Sequence, residues 1–297
     1  MDTVLILMAS PGSGALDREA LDYVQGLAGE VQPHWLVPRE VLELPLRLPK
    51  ADPRTIEDDI RAALGRRPID IAVIAEKSRR KSLLIADMDS TFIRQECIDE
   101  IGAAAGMGRE VAAITVRAMR GELDFEEALR ARVALMKDLP ATLLDQIISR
   151  TEFTPGGRQL VATMRQSGAY TALVSGGFIQ FTQHVASLTG FHEHRANELI
   201  IQDGRLLGQV AEPILGRDAK ISALDELTSR LGLSRSDAIA VGDGANDIGM
   251  IQAAGLGVAF HAKPAVRDAA DVRIDYCDLT ALLYLQGYKP AEFSLAS

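Results

Sequence analysis

Cysteine is scarce in this chain. Only Cys97 and Cys277 occur in 297 residues. No Cys-x-x-Cys pair exists, so neither a zinc ribbon nor a thiol redox motif is indicated. A reduced, cytoplasmic protein is the expectation. Positive charge is also in deficit: 32 Lys and Arg stand against 41 Asp and Glu, a net charge of −9. That argues against nucleic acid or a membrane surface as partner, because both present phosphates that the chain would repel. A small anionic substrate stays open, since local cations and a metal decide its binding. Long apolar runs are lacking too. Val4 to Ala9 follows Asp2 and no Lys or Arg, which is too short and wrongly flanked for a signal peptide or a spanning helix. What remains is 47% hydrophobic and 25% charged, the balance of a soluble globular protein with room for one large or two to three small domains.

Residues 1–76 switch between the two hydrophobic periodicities. Thr3–Met8 reads as a strand, and Leu16, Ala20, Val24 and Leu27 fall at helical spacing. His34–Val37 and Val41–Leu46 read as short strands on either side of Pro38. Ile56, Ile60, Ala63 and Leu64 form a second helical stripe, and Ile69–Ala75 is an uninterrupted apolar strand. The order βαββαβ predicts a small sheet with two helices on one face. The basic run Glu76–Ser82 then reads as a linker, with a short nucleic-acid patch as the alternative.

From Leu83 the pattern changes. Buried strands are predicted at Leu83–Ala86, Tyr170–Val174, Ala238–Val241, Gly257–Phe260 and Val272–Ile274. Helical stretches such as Gly156–Gln166, Asp218–Leu231 and Asn246–Ala253 separate them. This alternation implies a mostly parallel sheet with helices on both faces. Asp203-Gly204 between the apolar runs of Leu199–Val210 signals a hairpin. About Gln95 to Arg150 carries some four helical stretches and no strand, which reads as a helical cap over the sheet edge, able to shield a site from water.

The strand ends carry the chemistry. Leu83–Ala86 delivers Asp87 and Asp89, two positions apart, followed by Ser90 and Thr91. Asp87 is placed to act as a nucleophile toward phosphorus, and Asp89 to donate and recover a proton; a turn or helix cap is the plainer reading. Ser175-Gly176-Gly177 offers a hydroxyl and free N–H groups to a phosphate, or is an ordinary glycine turn. Lys220 stands near a helix start and could neutralise a phosphoryl oxygen, or is a surface lysine. Gly242-Asp243-Gly244-Ala245-Asn246-Asp247 sets acids at i and i+4, which suits oxygen ligation of Mg²⁺; an Asx-rich turn is the alternative. Phosphoryl transfer needs this combination of positioning and electrostatic stabilisation. In the helix predicted around Phe125–Met136, Arg132 sits in the apolar stripe of Leu129, Val133 and Met136, while Arg130 points away. A buried Arg wants a partner, either a structural carboxylate or the carboxylate of a substrate.

These residues resemble the phosphatases of the haloacid dehalogenase (HAD) superfamily. The four motifs of that family match Asp87-Met88-Asp89-Ser90-Thr91, Ser175-Gly176-Gly177, Lys220 and Gly242 to Asp247. The similarity covers residues 83–286. Glu96-Cys97-Ile98-Asp99-Glu100 and Leu129-Arg130-Ala131-Arg132-Val133 resemble the members that act on O-phospho-L-serine. The resemblance implies an α/β fold, a HAD-like Rossmannoid parallel sheet with an inserted helical cap at about 95–152 in a core of 81–297. It implies a phosphoric monoester hydrolase dependent on Mg²⁺, releasing L-serine at the last step of phosphorylated serine biosynthesis. Asp87 would be nucleophile and metal ligand. Asp89 would be acid/base and ligand through its carbonyl, Asp243 the third ligand, and Asp247 would support it. Ser175, Gly176, Lys220 and Asn246 would hold the phosphoryl group.

Glu96 alone reads as a solvated surface acid; the family places it against the substrate ammonium. With Arg132 it would then recognise a free amino acid and reject a phosphorylated protein segment. Transfer to another amino-acid hydroxyl, such as that of homoserine, is the alternative activity. Residues 1–80 resemble ACT-like amino-acid-binding domains by pattern alone, which implies structural support, a homodimer, or regulation by an amino acid. Trp35 and Met119 read as packing residues, with Met119 and Phe125 the alternative wall of a pocket. His192 and His194 have no place in an oxygen-ligand metal site.

Overall fold

Period-2 burial on both faces explains why the first strand is apolar throughout. The structure, a computed structural model, describes residues 3–28, 32–46 and 52–294, with the Leu27 and Ala28 side chains outside what is described. The amino-terminal part contains β1 (Thr3–Ala9), α1 (Arg18–Ala28), β2 (His34–Val37), β3 (Val41–Leu46), α2 (Pro53–Leu64) and β4 (Ile69–Ala75). The sheet order is β2-β3-β1-β4, with β1 antiparallel to both neighbours. Leu5, Leu7 and Val73 pack with Val24, Ile60 and Leu64 of the two helices, and Trp35 lies at the rim of that cluster. Val4, Ile6, Met8 and Ile74 join the core of the rest of the chain. Burial of alternate residues against two different layers leaves no polar face.

The remainder begins with β5 (Leu83–Ala86), α3 (Cys97–Ala104), α4 (Gly108–Met119), α5 (Phe125–Ala134), α6 (Thr142–Ile148) and α7 (Gly157–Gln166). There follow β6 (Tyr170–Phe178), α8 (Ile179–Thr189), β7 (Glu193–Asn197), β8 (Leu199–Gln202), β9 (Arg205–Val210) and α9 (Arg217–Leu231). The chain continues through β10 (Ala238–Gly242), α10 (Ile248–Ala253), β11 (Leu256–Phe260), α11 (Pro264–Ala269), β12 (Val272–Ile274) and α12 (Ala281–Leu285). The six-stranded sheet has the order β12-β11-β10-β5-β6-β7 and is parallel throughout. Leu84 and Ala86 face one layer, and Leu83 and Ile85 the other. The five predicted buried strands are all in this sheet. β7 was not predicted, because it is an edge strand of sequence Glu-His-Arg-Ala-Asn whose charges pair outward, Arg195 with Glu226 and Glu193. The expected hairpin is β8–β9, with Asp203 and Gly204 both at positive φ, 50° and 74°, as a type I′ turn requires.

Five helices, α3 to α7, lie between β5 and β6, and the first four of them, Cys97 to Ile148, fill the segment expected to form a helical cap. The start of α5 is fixed by a capping box: Asp124 accepts the Glu127 N–H at 2.8 Å and Glu127 accepts the Asp124 N–H at 3.0 Å. The basic run is pinned on both sides. Arg79 pairs with Glu43 at 2.7 Å, Arg80 lies 3.8 Å over the Tyr288 ring, and Lys81 Nζ donates to the Ser236 carbonyl at 2.8 Å. Three of its cations, Arg79, Arg80 and Lys81, are therefore engaged within the molecule. Fully buried Asp70 of β4 accepts the N–H groups of Asp275 at 2.7 Å and Cys277 at 2.8 Å, docking the two parts together. Among the described residues no helix is long and apolar enough to cross a membrane.

Candidate active site

β5, β6 and β10 end side by side, so the side chains that follow them meet at the carboxyl edge of the sheet, where open α/β sheets bind ligands. Asp87 and Asp89 follow β5, Ser175 to Gly177 end β6, and Asp243 follows β10. β6 slips register between Val174 and Phe178, so Ser175, Gly176 and Gly177 bulge from the ladder. A Cβ at Gly177 would stand 2.8 Å from Asp89 Oδ2 and 3.1 Å from Ser175 Oγ, so only glycine permits this approach. Ser175 Oγ accepts the Gly177 N–H at 2.9 Å, leaving its own proton free to donate.

The charges are buried and close. Lys220 of α9, 2% exposed, sits 2.6 Å from Asp87 Oδ1 and also pairs with Asp247. Asp247 additionally accepts the Gly244 N–H at 2.9 Å, which commits its carboxylate to holding the loop. Asp87, Asp243 and Asp247 bring carboxylate oxygens within 4.8 Å of one another. One lysine does not balance three buried acids. Burial, with Asp247 second, pushes Asp87 well above the usual carboxylate range, against the pull of Lys220. Burial and Asp247 raise Asp243 to about 6. Burial disfavours the Lys220 ammonium, yet Asp247 and Asp87 outweigh it and the group is raised. An uncompensated set of hard oxygen donors fits a divalent cation such as Mg²⁺ or Ca²⁺. Asp89 is pushed up to about 7 by burial and by the nearby Glu96 charge. The Cys97 thiol donates to its Oδ1 at 2.9 Å, which fixes the carboxyl from the start of α3.

A cavity of ≈ 140 Å³ separates these groups from α3 and α5. Asp87, Asp89, Asp243, Ser175, Gly176 and Asn246 line its floor, and Glu96, Phe125 and Arg132 its cap side. Arg130 instead pairs with Glu126 and Glu212 at the surface. Arg132 donates Nε to the Ala128 carbonyl at 3.1 Å, and among the described residues no carboxylate forms an ion pair with it. The structural partner considered for it is therefore absent among those residues. Glu96 Oε1 accepts from Ser90 Oγ at 2.7 Å. Phe125 lies against Gly176, whose Cβ would stand 3.1 Å from its ring. Met119 is 78% exposed at the end of α4 and neither packs nor lines the cavity.

Two contributors were not legible beforehand. Lys263 lines the cavity, and its N–H donates to the Asp243 carbonyl at 3.2 Å. It follows β11, so the strand-end rule applied to a fourth strand would have found it. Asn197, 2% exposed, donates Nδ2 to the carbonyls of Gly176 at 2.9 Å and Leu215 at 3.3 Å, and accepts the Leu215 N–H at 2.7 Å. It ties the β6 bulge to the segment entering α9, which carries Lys220. No local pattern marks it. His192 and His194 bond Thr171 and Thr182 behind the sheet.

A parallel sheet with a helical insertion after the first acidic strand end, and acids gathered around one buried lysine, defines a hydrolase of the HAD type. The match to haloacid dehalogenase-like hydrolases spans residues 84–252, and the chain belongs to that family. Within it, the chain is 44% identical over 237 residues to a phosphoserine phosphatase of Streptomyces coelicolor, covering 79% of this chain and 57% of that protein. The chain thus spans little more than half the length of that relative. A solved substrate-bound phosphoserine phosphatase complex is 40% identical, with a TM-score of 0.65, over 69% of this chain and 98% of that one. A HAD-family hydrolase from Salmonella enterica serovar Typhi superposes over 96% of this chain and 98% of that one, at TM-score 0.87 and 28% identity.

Proposed function

We propose that this chain is a phosphoserine phosphatase, hydrolysing O-phospho-L-serine to L-serine and phosphate in the cytoplasm, the last step of phosphorylated serine biosynthesis. The observation that carries the reading is one cavity with the buried carboxyls of Asp87 and Asp89 at its floor and, at its cap, the Arg132 guanidinium, without an ion pair among the described residues, together with the Glu96 carboxylate. The names of the relatives support the same substrate. Asp87 attacks phosphorus and forms an aspartyl phosphate. The seryl oxygen leaves with the proton of Asp89, whose pKa, raised to about 7, lets the carboxyl both give and take a proton near neutral pH. Asp89 then takes a proton from water, the water oxygen attacks the same phosphorus, and phosphate leaves Asp87 free. Ser175, the Gly176 backbone, Lys220 and Asn246 hold the phosphoryl oxygens as charge shifts among them. Mg²⁺ would sit on Asp87, the Asp89 carbonyl and Asp243, with Asp247 behind, and would neutralise phosphoryl charge.

Arg132 takes the substrate carboxylate and Glu96 its ammonium. A phosphoserine inside a protein has amides at both places and would leave both charges unpaired. The small cavity, ≈ 140 Å³, favours water over a second amino acid as acceptor. The same reading divides the chain into an ACT-like unit at 1–80 and a core at 81–297, with the cap at about 95–152. We assign the first unit support or homodimerisation, which its deletion and the mass in solution would test. The deciding experiment is phosphate release, with and without Mg²⁺, from O-phospho-L-serine, p-nitrophenyl phosphate and a phosphoserine peptide. Preference for the free amino acid, abolished in Asp87→Asn, is expected. Equal rates on all three esters would discard the roles of Glu96 and Arg132; undiminished activity in Asp87→Asn would discard the nucleophile.

A further inference from the structure

A second cavity, ≈ 480 Å³, shares no lining residue with the catalytic one. It lies beside it on the β11 side, at the same carboxyl edge of the sheet where ligands bind. Both parts of the chain build it. Pro11 comes from the loop after β1, Arg94 from the loop after the nucleophile, Thr154 from the end of the cap, and Tyr276 from the segment after β12. The Tyr276 wall is held from the amino-terminal side: its N–H donates to Asp70 at 3.2 Å and its carbonyl accepts from Ser10 Oγ at 2.9 Å.

Two wall residues connect to residues that line the catalytic cavity. Ser90 holds Glu96 through the 2.7 Å hydrogen bond. His261 stands two residues before Lys263, which lines the catalytic cavity and bonds Asp243. Both are non-glycine residues at positive φ, 55° and 45°. Such backbone persists only where surrounding contacts hold it, and it clusters at ligand clamps and switch regions. The wall chemistry is mixed. Tyr276 is 41% exposed although aromatic, and the exposed His261 ring lies 4.3 Å from the buried ring of Phe260 beneath it. Arg94 offers a guanidinium whose one carboxylate contact, Glu152 at 3.6 Å, is between exposed side chains and is exchangeable.

We infer that this cavity is an effector site for a small aromatic acid, its flat ring against Tyr276 and His261 and its acid group on Arg94. Occupancy displaces the Ser90–Arg94 loop and with it the hydroxyl that orients Glu96, so a bound acid changes KM for the amino-acid substrate. That coupling rests on the proposed role of Glu96; the site itself does not.

The test uses the full chain and the fluorescent aryl sulfonate 8-anilinonaphthalene-1-sulfonate. One site is expected, weakened about tenfold in Arg94→Ala, the loss of one charge-assisted hydrogen bond, and abolished in Thr154→Trp, whose indole fills the space. The dye should raise KM for O-phospho-L-serine several-fold and leave p-nitrophenyl phosphate hydrolysis unchanged. Melting curves establish that both variants fold, and Arg94→Ala alters only an exposed side chain. No binding, or binding indifferent to both variants, overturns the site. Binding that responds to the variants while KM stays fixed overturns the coupling. Dye binding is read by fluorescence, so a chain that bound the dye but failed to hydrolyse phosphoserine would refute the substrate assignment and leave the site standing.

Discussion

Arg132 and Asn197 do opposite kinds of work at one cavity. Arg132 is a half-buried cation held, among the described residues, only by its own helix, at the Ala128 carbonyl. It is poised for a ligand. Arg132→Ala is expected to raise KM for O-phospho-L-serine ~100-fold, the worth of a bidentate guanidinium–carboxylate pair, with p-nitrophenyl phosphate kinetics unchanged. Steady-state kinetics on both esters check this, and a parallel loss on both would remove the selective role. Asn197 is fully satisfied by three backbone groups at Gly176 and Leu215. Replacing it by Leu strands those groups, at roughly 1–3 kcal/mol for each that stays buried and unpaired. It also frees the Ser175–Gly177 bulge. Asn197→Leu is expected to lower both the melting temperature and the affinity for inorganic phosphate. A protein that melts lower yet binds phosphate as before would show that the Asn only supports the fold.

At the scale of elements, α5 is short and carries Phe125 and Arg132 into the cavity. An isolated helix of ten residues is marginal in water, so its start must be fixed by other means. The Asp124–Glu127 capping box does this. Asp124→Ala is expected to cost about 1 kcal/mol, seen as a lower denaturation midpoint, with a rise in KM larger than the fall in kcat because the chemistry lies on the strands. A drop in kcat alone would contradict that division. β7 shows the limit of pattern at this scale. Its register with β6 sets the bulge that holds Ser175, although its own residues read as surface.

Across the whole molecule, the amino-terminal part is docked through buried polar groups as well as apolar ones. Asp70 reaches across to the chain after β12. Glu57 of α2 is buried and accepts the Val73 N–H at 2.8 Å. Burial pushes its carboxyl up to about 7, against the pull of that N–H and of Arg273 and Arg61. The folded state therefore holds this proton over a range where the unfolded chain, at an ordinary carboxylate pKa, has lost it. The contribution is favourable at low pH and is lost as pH rises from the unfolded value through about 7. The whole shift is on the order of 3 kcal/mol. Glu57→Gln is expected to flatten the decline of stability between pH 5 and 7, within roughly that range. Denaturant midpoints at several pH values check it; an identical slope in the variant would place the proton elsewhere.

The sequence by itself determined the strands that end in chemistry. Leu83–Ala86 and Ala238–Val241 are buried on both faces, so their apolar runs are unbroken and the acids that follow stand out. The hairpin at Asp203-Gly204 was legible for a similar reason, since its turn type is a local backbone preference. Arg132 could be singled out from its helical stripe, but the absence of an acid beside it among the described residues could not. Only the tertiary structure decided that Asn197 clamps a loop 21 residues earlier in the chain, that the Cys97 thiol fixes Asp89, and that Arg79, Arg80 and Lys81 of the basic run are spent on internal contacts. It alone formed the second cavity, whose walls come from Pro11 to Asp278. Periodicity reports how a segment is buried. It carries no information on which distant segment does the burying, and at this protein those distant pairings aim the reactive groups.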